Sequence, residues 1–230
     1  MTAFFRRIYD NGRSDSLAAQ MRRKRFSLFQ QLLSSVPRPL TILDVGGRQR
    51  FWEVMGFAQE PDIEVTLLNI DAPDVSYPNF VSVTGDATQM TQFADGQFDV
   101  VFSNSVIEHV GAWTQQQMMA QEVQRVGRRY FVQTPNYFFP IEPHFLFVGF
   151  QWLPLELRAW LHSRFNLGWR QRVPDRSRAR AEVAQIRLLK KGELRALFPQ
   201  AHLYQEKALG LTKSFVVYDG WIANEDVVNN

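Results

Sequence analysis

Seven short runs rich in β-branched, aliphatic and aromatic residues place the strongest constraint on the fold of this chain. They span 41–45, 63–70, 80–83, 98–102, 130–133, 202–209 and 213–218. Such runs, bounded by glycine or polar residues, are typical of β-strands, and those without polar alternation are typical of strands covered on both faces. Several intervening segments are long enough to hold a helix, so the pattern predicts a mostly parallel sheet.

Three segments predict helices around this sheet. Ser14–Val36 places apolar residues at helical spacing with Ser14 or Ser16 as N-cap, and Thr114–Val126 and Lys191–Leu197 follow. The last two strands look like an antiparallel hairpin joined near Gly210. We therefore expect an α/β fold with a Rossmann-like, doubly wound, mostly parallel seven-stranded sheet and an antiparallel C-terminal hairpin.

Composition excludes several classes of protein. With 230 residues, 45% of them apolar, we expect a single domain, 1–230. The absence of cysteine excludes disulfide scaffolds, thiolate metal sites and cysteine nucleophiles, and the four histidines are scattered, so we predict no metal site. No run approaches the roughly 20 apolar residues that cross a bilayer. We expect a cytoplasmic protein, and the sequence indicates no oligomeric state.

The positive charge is concentrated in two segments. Residues 1–35 carry a net charge of +5 and residues 137–187 a net charge of +4, in a chain whose total is +3. The 137–187 segment is also dense in aromatic residues, and we interpret it as an insertion or a lid over the sheet edge. Aromatic residues beside arginines also suit an anionic membrane surface, which 1–36 and 137–187 could contact peripherally. The basic charge is not interleaved through a nucleic-acid reader module, so we expect no nucleic-acid partner.

Glycine and polar residues follow the first two strands, where ligands of open parallel sheets bind. Asp44 precedes Gly46 and Gly47, whose missing side chains would let backbone amides approach a ligand. Asn69, Ile70 and Asp71 follow the second strand, where dinucleotide-type folds hold ribose hydroxyls. Taken alone, each position is also compatible with an ordinary turn.

The next two strands end in the same way. Gly85, Asp86 and Ala87 follow the third strand, with a carboxylate that could accept from an adenine amino group or cap a helix. Asn104 and Ser105 follow the fourth. Four successive strand ends suited to parts of one ligand favour a binding site for an adenosyl compound.

The chain resembles the class I S-adenosylmethionine-dependent methyltransferases, particularly the type 11 group. The resemblance rests on Leu43–Gly46, Gly85–Ala87 and Glu108–Val110, with Gln133–Asn136 after the fifth strand. It covers about residues 40–136 and 186–218. It implies S-adenosylmethionine as cofactor.

In this family the positions matching Asp44 and Gly46 line the methionyl part of the cofactor. The resemblance further implies that Asn69 or Asp71 holds ribose, that Asp86 contacts adenine, and that Asn104 and Ser105 flank the cofactor. The sequence departs from the family pattern in the glycine loop. This chain has Arg48 and Arg50 where the family usually has glycines.

Transfer to a hydroxyl acceptor would benefit from a base, and His109 and His144 are the candidates because imidazole takes up a proton near neutral pH. Either histidine is also compatible with a purely structural role. We predict a small-molecule, glycan or lipid-linked acceptor. Two alternatives are an NAD-binding oxidoreductase, against which the missing Gly-x-Gly-x-x-Gly argues, and a non-catalytic nucleotide-binding or regulatory module.

Overall fold

The computed structural model describes residues 17–221. Its helices are α1 (Leu17–Leu33), α2 (Gln49–Val54), α3 (Trp113–Val126), α4 (Leu155–Arg164), α5 (Arg176–Ala184) and α6 (Lys191–Leu197). Its strands are β1 (Leu40–Val45), β2 (Ile63–Asn69), β3 (Phe80–Thr84), β4 (Val100–Asn104), β5 (Tyr130–Pro135), β6 (Ile141–Glu142), β7 (Phe147–Val148), β8 (His202–Ala208) and β9 (Leu211–Asp219). Ile107–His109 and Phe150–Trp152 form 3-10 turns.

Seven strands form one sheet in the order β3-β2-β1-β4-β5-β9-β8. The pairs among β1 to β5 are parallel, and β9 pairs antiparallel with both β5 and β8. The left-handed backbone of Leu209 and Gly210 makes the tight turn between β8 and β9. The predicted α/β fold, with its mostly parallel seven-stranded sheet and terminal hairpin, is confirmed.

Helices cover both faces of the sheet, which explains why the central strands are almost continuously apolar. On one face α1 and α2 bury an aromatic cluster that includes Phe26, Phe29 and Trp52 against β1, β2 and β4. On the other face α3 and α6 bury Met119 and Leu194. The crossover after β1, which contains α2, and the crossover after β4, which contains α3, therefore lie on opposite faces, and the direction of winding changes between β1 and β4.

The 137–187 segment is more ordered than its sequence indicates. Its strands β6 and β7 pair antiparallel, and α4 and α5 pack together around Phe145, Phe150 and Val183. Asp175 accepts a hydrogen bond from the backbone N–H of Arg178 and so caps α5, within an arginine-rich stretch that shows no periodicity. The segment follows β5, and so it lies beyond the carboxyl edge of the sheet.

The strand and helix predictions differ from the structure mainly at their ends. The fourth strand lies at 100–104 and not at 98–102, and α1 ends at Leu33, three residues before the predicted end. The proposed N-caps Ser14 and Ser16 lie outside the described residues, as does the whole 1–16 part of the basic N-terminal segment. The helix at Lys191–Leu197 has the predicted bounds.

Candidate functional site

The site lies at the carboxyl ends of β1 and β4, the neighbouring strands between which the winding changes direction. Loops that leave such strands on opposite faces open a crevice between them. Gly46 follows β1 and Ser105 follows β4, and both have left-handed backbone, with φ of +75° and +59°. The backbone therefore turns sharply away from the sheet at the end of each of these two strands.

Gly46 and Gly47 form a tight turn in which neither position has room for a side chain. A Cβ on Gly46 would lie 2.6 Å from a methyl carbon of Val106, and one on Gly47 would overlap the carboxylate of Asp44. The turn is fixed to β2 by the N–H of Gly46, which donates to the carbonyl of Leu68 at 2.7 Å. Packing alone therefore accounts for both glycines.

Asp44 lies beneath this turn and not in the open crevice. Its side chain is buried, and its Oδ2 accepts a 2.7 Å hydrogen bond from the indole nitrogen of Trp52. Burial raises the pKa of Asp44 to about 7, and the hydrogen bond from Trp52 acts in the opposite direction. The carboxyl group thus supports the turn from below.

The residues at the end of β2 are more exposed than Asp44. Asn69 donates from Nδ2 to the carbonyl oxygen of Gly47 at 2.8 Å, which links the ends of β1 and β2. Ile70 is 68% exposed and Asp71 is exposed beside it. An exposed isoleucine next to a carboxylate offers an apolar face and a hydrogen-bond acceptor at the same strand end.

The residues after β3 have mainly structural partners. Oδ1 of Asp86 accepts from the backbone N–H and the hydroxyl of Thr88, both at 2.7 Å, as in a turn cap. Gly85 packs closely against Leu68, and Ala87 belongs to the core. Only the exposed carboxylate of Asp86 faces solvent among these three positions.

A basic cavity begins at the end of β4. Its lining includes Arg22 and Arg25 of α1, Asn104 and Ser105, and Lys213 of β9. Arg25 donates to the side chain of Asn104, and its Nε lies 2.9 Å from the buried carboxylate of Glu206. Three cationic side chains therefore line the cavity, and one of them, Arg25, pairs with the buried carboxylate of Glu206.

The electrostatics of Lys213 reflect this crowding. Burial lowers its pKa to about 8, the negative charge of Glu206 opposes the shift, and Arg25 and Arg22 add to it. Burial is therefore the main cause of the lowered pKa of Lys213.

The two predicted histidines lie together, 4.6 Å apart between ring centroids and at right angles. His144 is held by Glu142, whose Oε1 lies 2.6 Å from Nδ1. Burial alone would lower the pKa of His144, but the hydrogen bond and charge of Glu142, with the charge of Glu108, raise it overall. Desolvation, with positive charge at His144 and Arg170, lowers the pKa of His109 to about 4. Neither histidine is among the residues that line the basic cavity.

A second cavity lies beneath the 137–187 segment. Its charged lining residues are Glu142, Arg158, Arg187, Lys190 and Glu193. It is separated in sequence from the first four strand ends and holds none of the predicted cofactor residues.

Sequence reasoning placed all predicted cofactor residues at one edge of the sheet, but it missed the residues that give the site its charge. Arg22 and Arg25 were interpreted only as part of the basic 1–36 segment that could contact a membrane surface, although their spacing puts them on one side of α1. Lys213 and Glu206 come from the terminal hairpin, and no local pattern indicates their contact with α1. Glu142 was missed although it lies two residues from His144.

Residues 48–130 match the family model described as a methyltransferase domain. The match identifies a methyltransferase domain in this part of the chain. The match begins in the turn after β1 and ends at β5, so it contains the loops at the ends of β2, β3 and β4. The cofactor of this enzyme family is S-adenosylmethionine, as the resemblance implied.

A solved structure with a TM-score above 0.5 shares the fold at low sequence identity. A possible exported protein from Bordetella parapertussis aligns with a TM-score of 0.53 and 9% identity, covering 86% of this chain and 66% of that one. A SAM-dependent methyltransferase from Aquifex aeolicus aligns with a TM-score of 0.49 and 11% identity, covering 84% of this chain and 87% of that one. No curated protein matches the sequence.

The strand ends of the methyltransferase domain fit an adenosyl cofactor. Exposed Ile70 could pack on a base, and the exposed carboxylates of Asp71 and Asp86 could accept from hydroxyl and amino groups. The exposed side chains of Arg48 and Arg50 stand where the family loop has glycines. None of the described helices is both long and apolar enough to span a membrane.

Proposed function

We propose that this methyltransferase acts on a small-molecule, glycan or lipid-linked acceptor that carries an anionic group. The observation that supports this proposal is the basic cavity, which opens at Asn104 and Ser105, beside the strand ends suited to the cofactor. Cofactor and acceptor would thus meet at the end of β4.

The cofactor would be held by the residues that the sequence predicted. Ile70 would contact the adenine, Asp71 and Asp86 would accept hydrogen bonds from ribose and adenine, and the exposed turn at Gly46 would approach the methionyl part. Asp44 would act from beneath the turn. The sulfonium of the cofactor supplies an electrophilic methyl group, so the chain has mainly to align the acceptor and exclude water.

The charges of the cavity support an anionic acceptor. Arg22, Arg25 and Lys213 present three cationic side chains, and Glu206 pairs with Arg25 and also acts on Lys213. A phosphate or carboxylate on the acceptor would be attracted to these cations in a partly buried place, where electrostatic interactions are stronger than in water. We therefore place the anionic group of the acceptor there and its methylated atom toward Ser105.

The test is methyl transfer from labelled S-adenosylmethionine to anionic acceptors and to neutral analogues of the same size. We expect faster transfer to the anionic set, and Arg22→Gln should raise KM for it. Arg23→Gln is the matched control, because Arg23 is the exposed next residue of α1 and does not line the cavity. Equal transfer to both sets, with no effect of Arg22→Gln, would contradict an anionic acceptor.

We further propose that the 137–187 segment contacts an anionic membrane surface, together with the basic N-terminal region. Every exposed phenylalanine and tryptophan among residues 19–221 lies in this segment, namely Phe138, Trp152, Trp160, Phe165 and Trp169. Exposed Arg164 and Arg172 lie nearby in sequence. Aromatic rings and arginines on one segment suit the interface between lipid headgroups and hydrocarbon.

Flotation with anionic liposomes at low salt tests this contact. We expect the protein to float with the vesicles and the double variant Trp160→Ser/Phe165→Ser to float less. These two rings are exposed and adjacent, with their centroids 6.0 Å apart, so the variant removes one continuous aromatic surface. The exposed Leu209→Ser variant, at the β8–β9 turn, serves as the control. Recovery of the wild-type protein in the unbound fraction would refute the membrane contact.

A further inference from the structure

Three residues with metal-binding side chains lie together between the sheet and the 137–187 segment. One ligand atom from each of Glu108, His109 and His144 lies within 4.8 Å of the other two. Glu108 and His109 belong to the 3-10 turn after β4, whereas His144 follows β6. The cluster is therefore assembled by the fold and is not a local sequence motif.

Glu108 has one carboxylate oxygen without a protein partner. Its side chain is fully buried, Oε2 accepts from the hydroxyl of Thr134 at 3.0 Å, and Oε1 has no hydrogen bond. Leaving a buried carboxylate oxygen unpaired costs free energy, and unmatched atoms of this kind call for a specific explanation. Oε1 faces His144, whose Nε2 is 4.0 Å away.

His144 is oriented with one nitrogen directed at this oxygen. Its Nδ1 is occupied by Glu142, which also accepts from the backbone N–H groups of His144 and Phe145 at 2.8 and 2.7 Å. Glu142 is therefore rigidly held, and it leaves Nε2 of His144 for another partner. The 4.0 Å separation between Nε2 and Glu108 is too long for a hydrogen bond, so the two groups face each other without bonding.

This arrangement is the one that protein metal sites use. A ligating histidine donates its second ring N–H to a carboxylate, which fixes the tautomer and makes the free nitrogen a better ligand. Two ligand atoms that each lie about 2.0–2.2 Å from one tetrahedral zinc ion are separated by about 3.3–3.6 Å. The 4.0 Å gap between Glu108 and His144 would therefore have to close by about 0.5 Å when the ion binds.

His109 completes the set and provides access. Its side chain is exposed, whereas Glu108 is buried, so an ion could enter from the solvent side. Charges of both signs surround the cluster. Glu108 and Glu142 supply two carboxylates, and Arg170 is the positively charged side chain that acts on both histidines.

We propose that Glu108, His109 and His144 bind one divalent transition-metal ion of the zinc type, with Glu142 holding His144 in position. Imidazole and carboxylate ligands suit zinc, cobalt and nickel better than magnesium, which prefers oxygen ligands alone. The ion would fasten the 137–187 segment to the turn after β4. Three protein ligands leave a further coordination position for water or another ligand.

The proposal is independent of the acceptor and of the cofactor. It changes the interpretation of the histidines, because an imidazole nitrogen that binds a metal is not available to take up a proton. The sequence analysis predicted no metal site, since the histidines are 35 residues apart and Glu108 was treated only as part of a family motif.

Zinc binding to the chelator-treated protein tests the site directly, by competition with a chromophoric chelator and by metal analysis after dialysis. We expect one zinc ion per chain in the wild type and a loss of at least tenfold in affinity in His109→Ala and His144→Ala. Glu142→Gln should weaken binding by about 10–100-fold, as expected for a carboxylate that orients a ligand. His202→Ala is the control, because His202 lies exposed on β8 away from the cluster.

Cobalt provides a second readout that does not depend on enzyme activity. Cobalt bound by the three residues should give visible absorption bands that disappear in His109→Ala. This variant alters an exposed side chain and should fold, which circular dichroism can check without metal. Absence of zinc binding by the wild type, or equal binding by the wild type and His109→Ala, would overturn the proposal.

Discussion

The indole nitrogen of Trp52 donates a 2.7 Å hydrogen bond to Oδ2 of Asp44, directly beneath the glycine turn after β1. Trp52 is itself fully buried in the aromatic cluster between α1 and the sheet. The core that stabilises one face of the fold is thereby connected to the turn that approaches the cofactor. Substitutions in this core should therefore affect the cofactor site as well as stability.

The buried Asp44 makes stability depend on pH. Its pKa rises from 3.8 to about 7 on folding because of burial, so the folded protein holds this proton more tightly than the unfolded chain. The stability contributed by this group is full below about pH 4 and falls as the pH rises to about 7. At about 1.4 kcal/mol per pKa unit, the loss is of the order of 4 kcal/mol.

Asp44→Asn should remove this dependence, because the amide keeps the acceptor for Trp52 but does not ionise. Urea unfolding of both proteins at pH 5 and pH 8 measures the effect. We expect the variant to gain stability relative to the wild type at pH 8. If the stability of the two proteins changed with pH in the same way, the raised pKa of Asp44 would be contradicted.

Gly46 should tolerate alanine poorly for two separate reasons. Its left-handed backbone alone costs alanine about 1–2 kcal/mol, and the added Cβ would press on Val106 at 2.6 Å. Gly56 has a similar φ of +83° with open space around it. Gly56→Ala should therefore lower the free energy of unfolding only by the backbone contribution. Thermal unfolding should show the greater loss in Gly46→Ala, and equal losses would rule out crowding at Val106.

Gln116 connects the turn after β4 to the end of the 137–187 segment. Its buried Nε2 donates to the carbonyl oxygens of Ile107 and Arg187 at 3.0 and 2.8 Å. Gln116→Leu leaves both carbonyls without this donor, and we expect a loss of more than about 2 kcal/mol in the free energy of unfolding. Gln117→Leu, at the exposed next position of α3, should change stability little. A similar loss in both variants would argue against this connection.

Anion binding in the basic cavity should weaken at high pH. Because the pKa of Lys213 is lowered to about 8, its positive charge is lost as the pH rises through that value. Sulfate is a suitable probe, since its own charge is constant in this range. Titration calorimetry should show falling sulfate affinity between pH 7 and pH 9 in the wild type and a flatter profile in Lys213→Gln. An unchanged wild-type affinity would exclude Lys213 from anion binding.

The sequence predicted the sheet well because its strands are buried on both faces and hence almost continuously apolar. It also predicted that Asp44, Asn69, Asp86 and Asn104 lie at one edge, since the carboxyl ends of parallel strands share an edge. It could not predict that Asp44 lies under the turn and not in the crevice, because that depends on the position of Trp52 in the folded core.

The basic cavity and the histidine cluster depend on contacts between distant parts of the chain. Arg25 and Glu206 are 181 residues apart, and Glu108 meets His144 only because the 137–187 segment folds back over the edge of the sheet. Local periodicity contains no information about such pairs. The exception is Glu142 and His144, whose spacing of two residues is visible in the sequence.

Binding of S-adenosylhomocysteine, measured by titration calorimetry with NAD as the comparison ligand, tests the central claim most directly. We expect binding of the demethylated cofactor and none of NAD. We also expect weaker binding by Ile70→Asp but not by Val54→Asp, since both residues are largely exposed and only Ile70 lies at the strand ends. A folded wild-type protein that binds neither S-adenosylhomocysteine nor S-adenosylmethionine would contradict it.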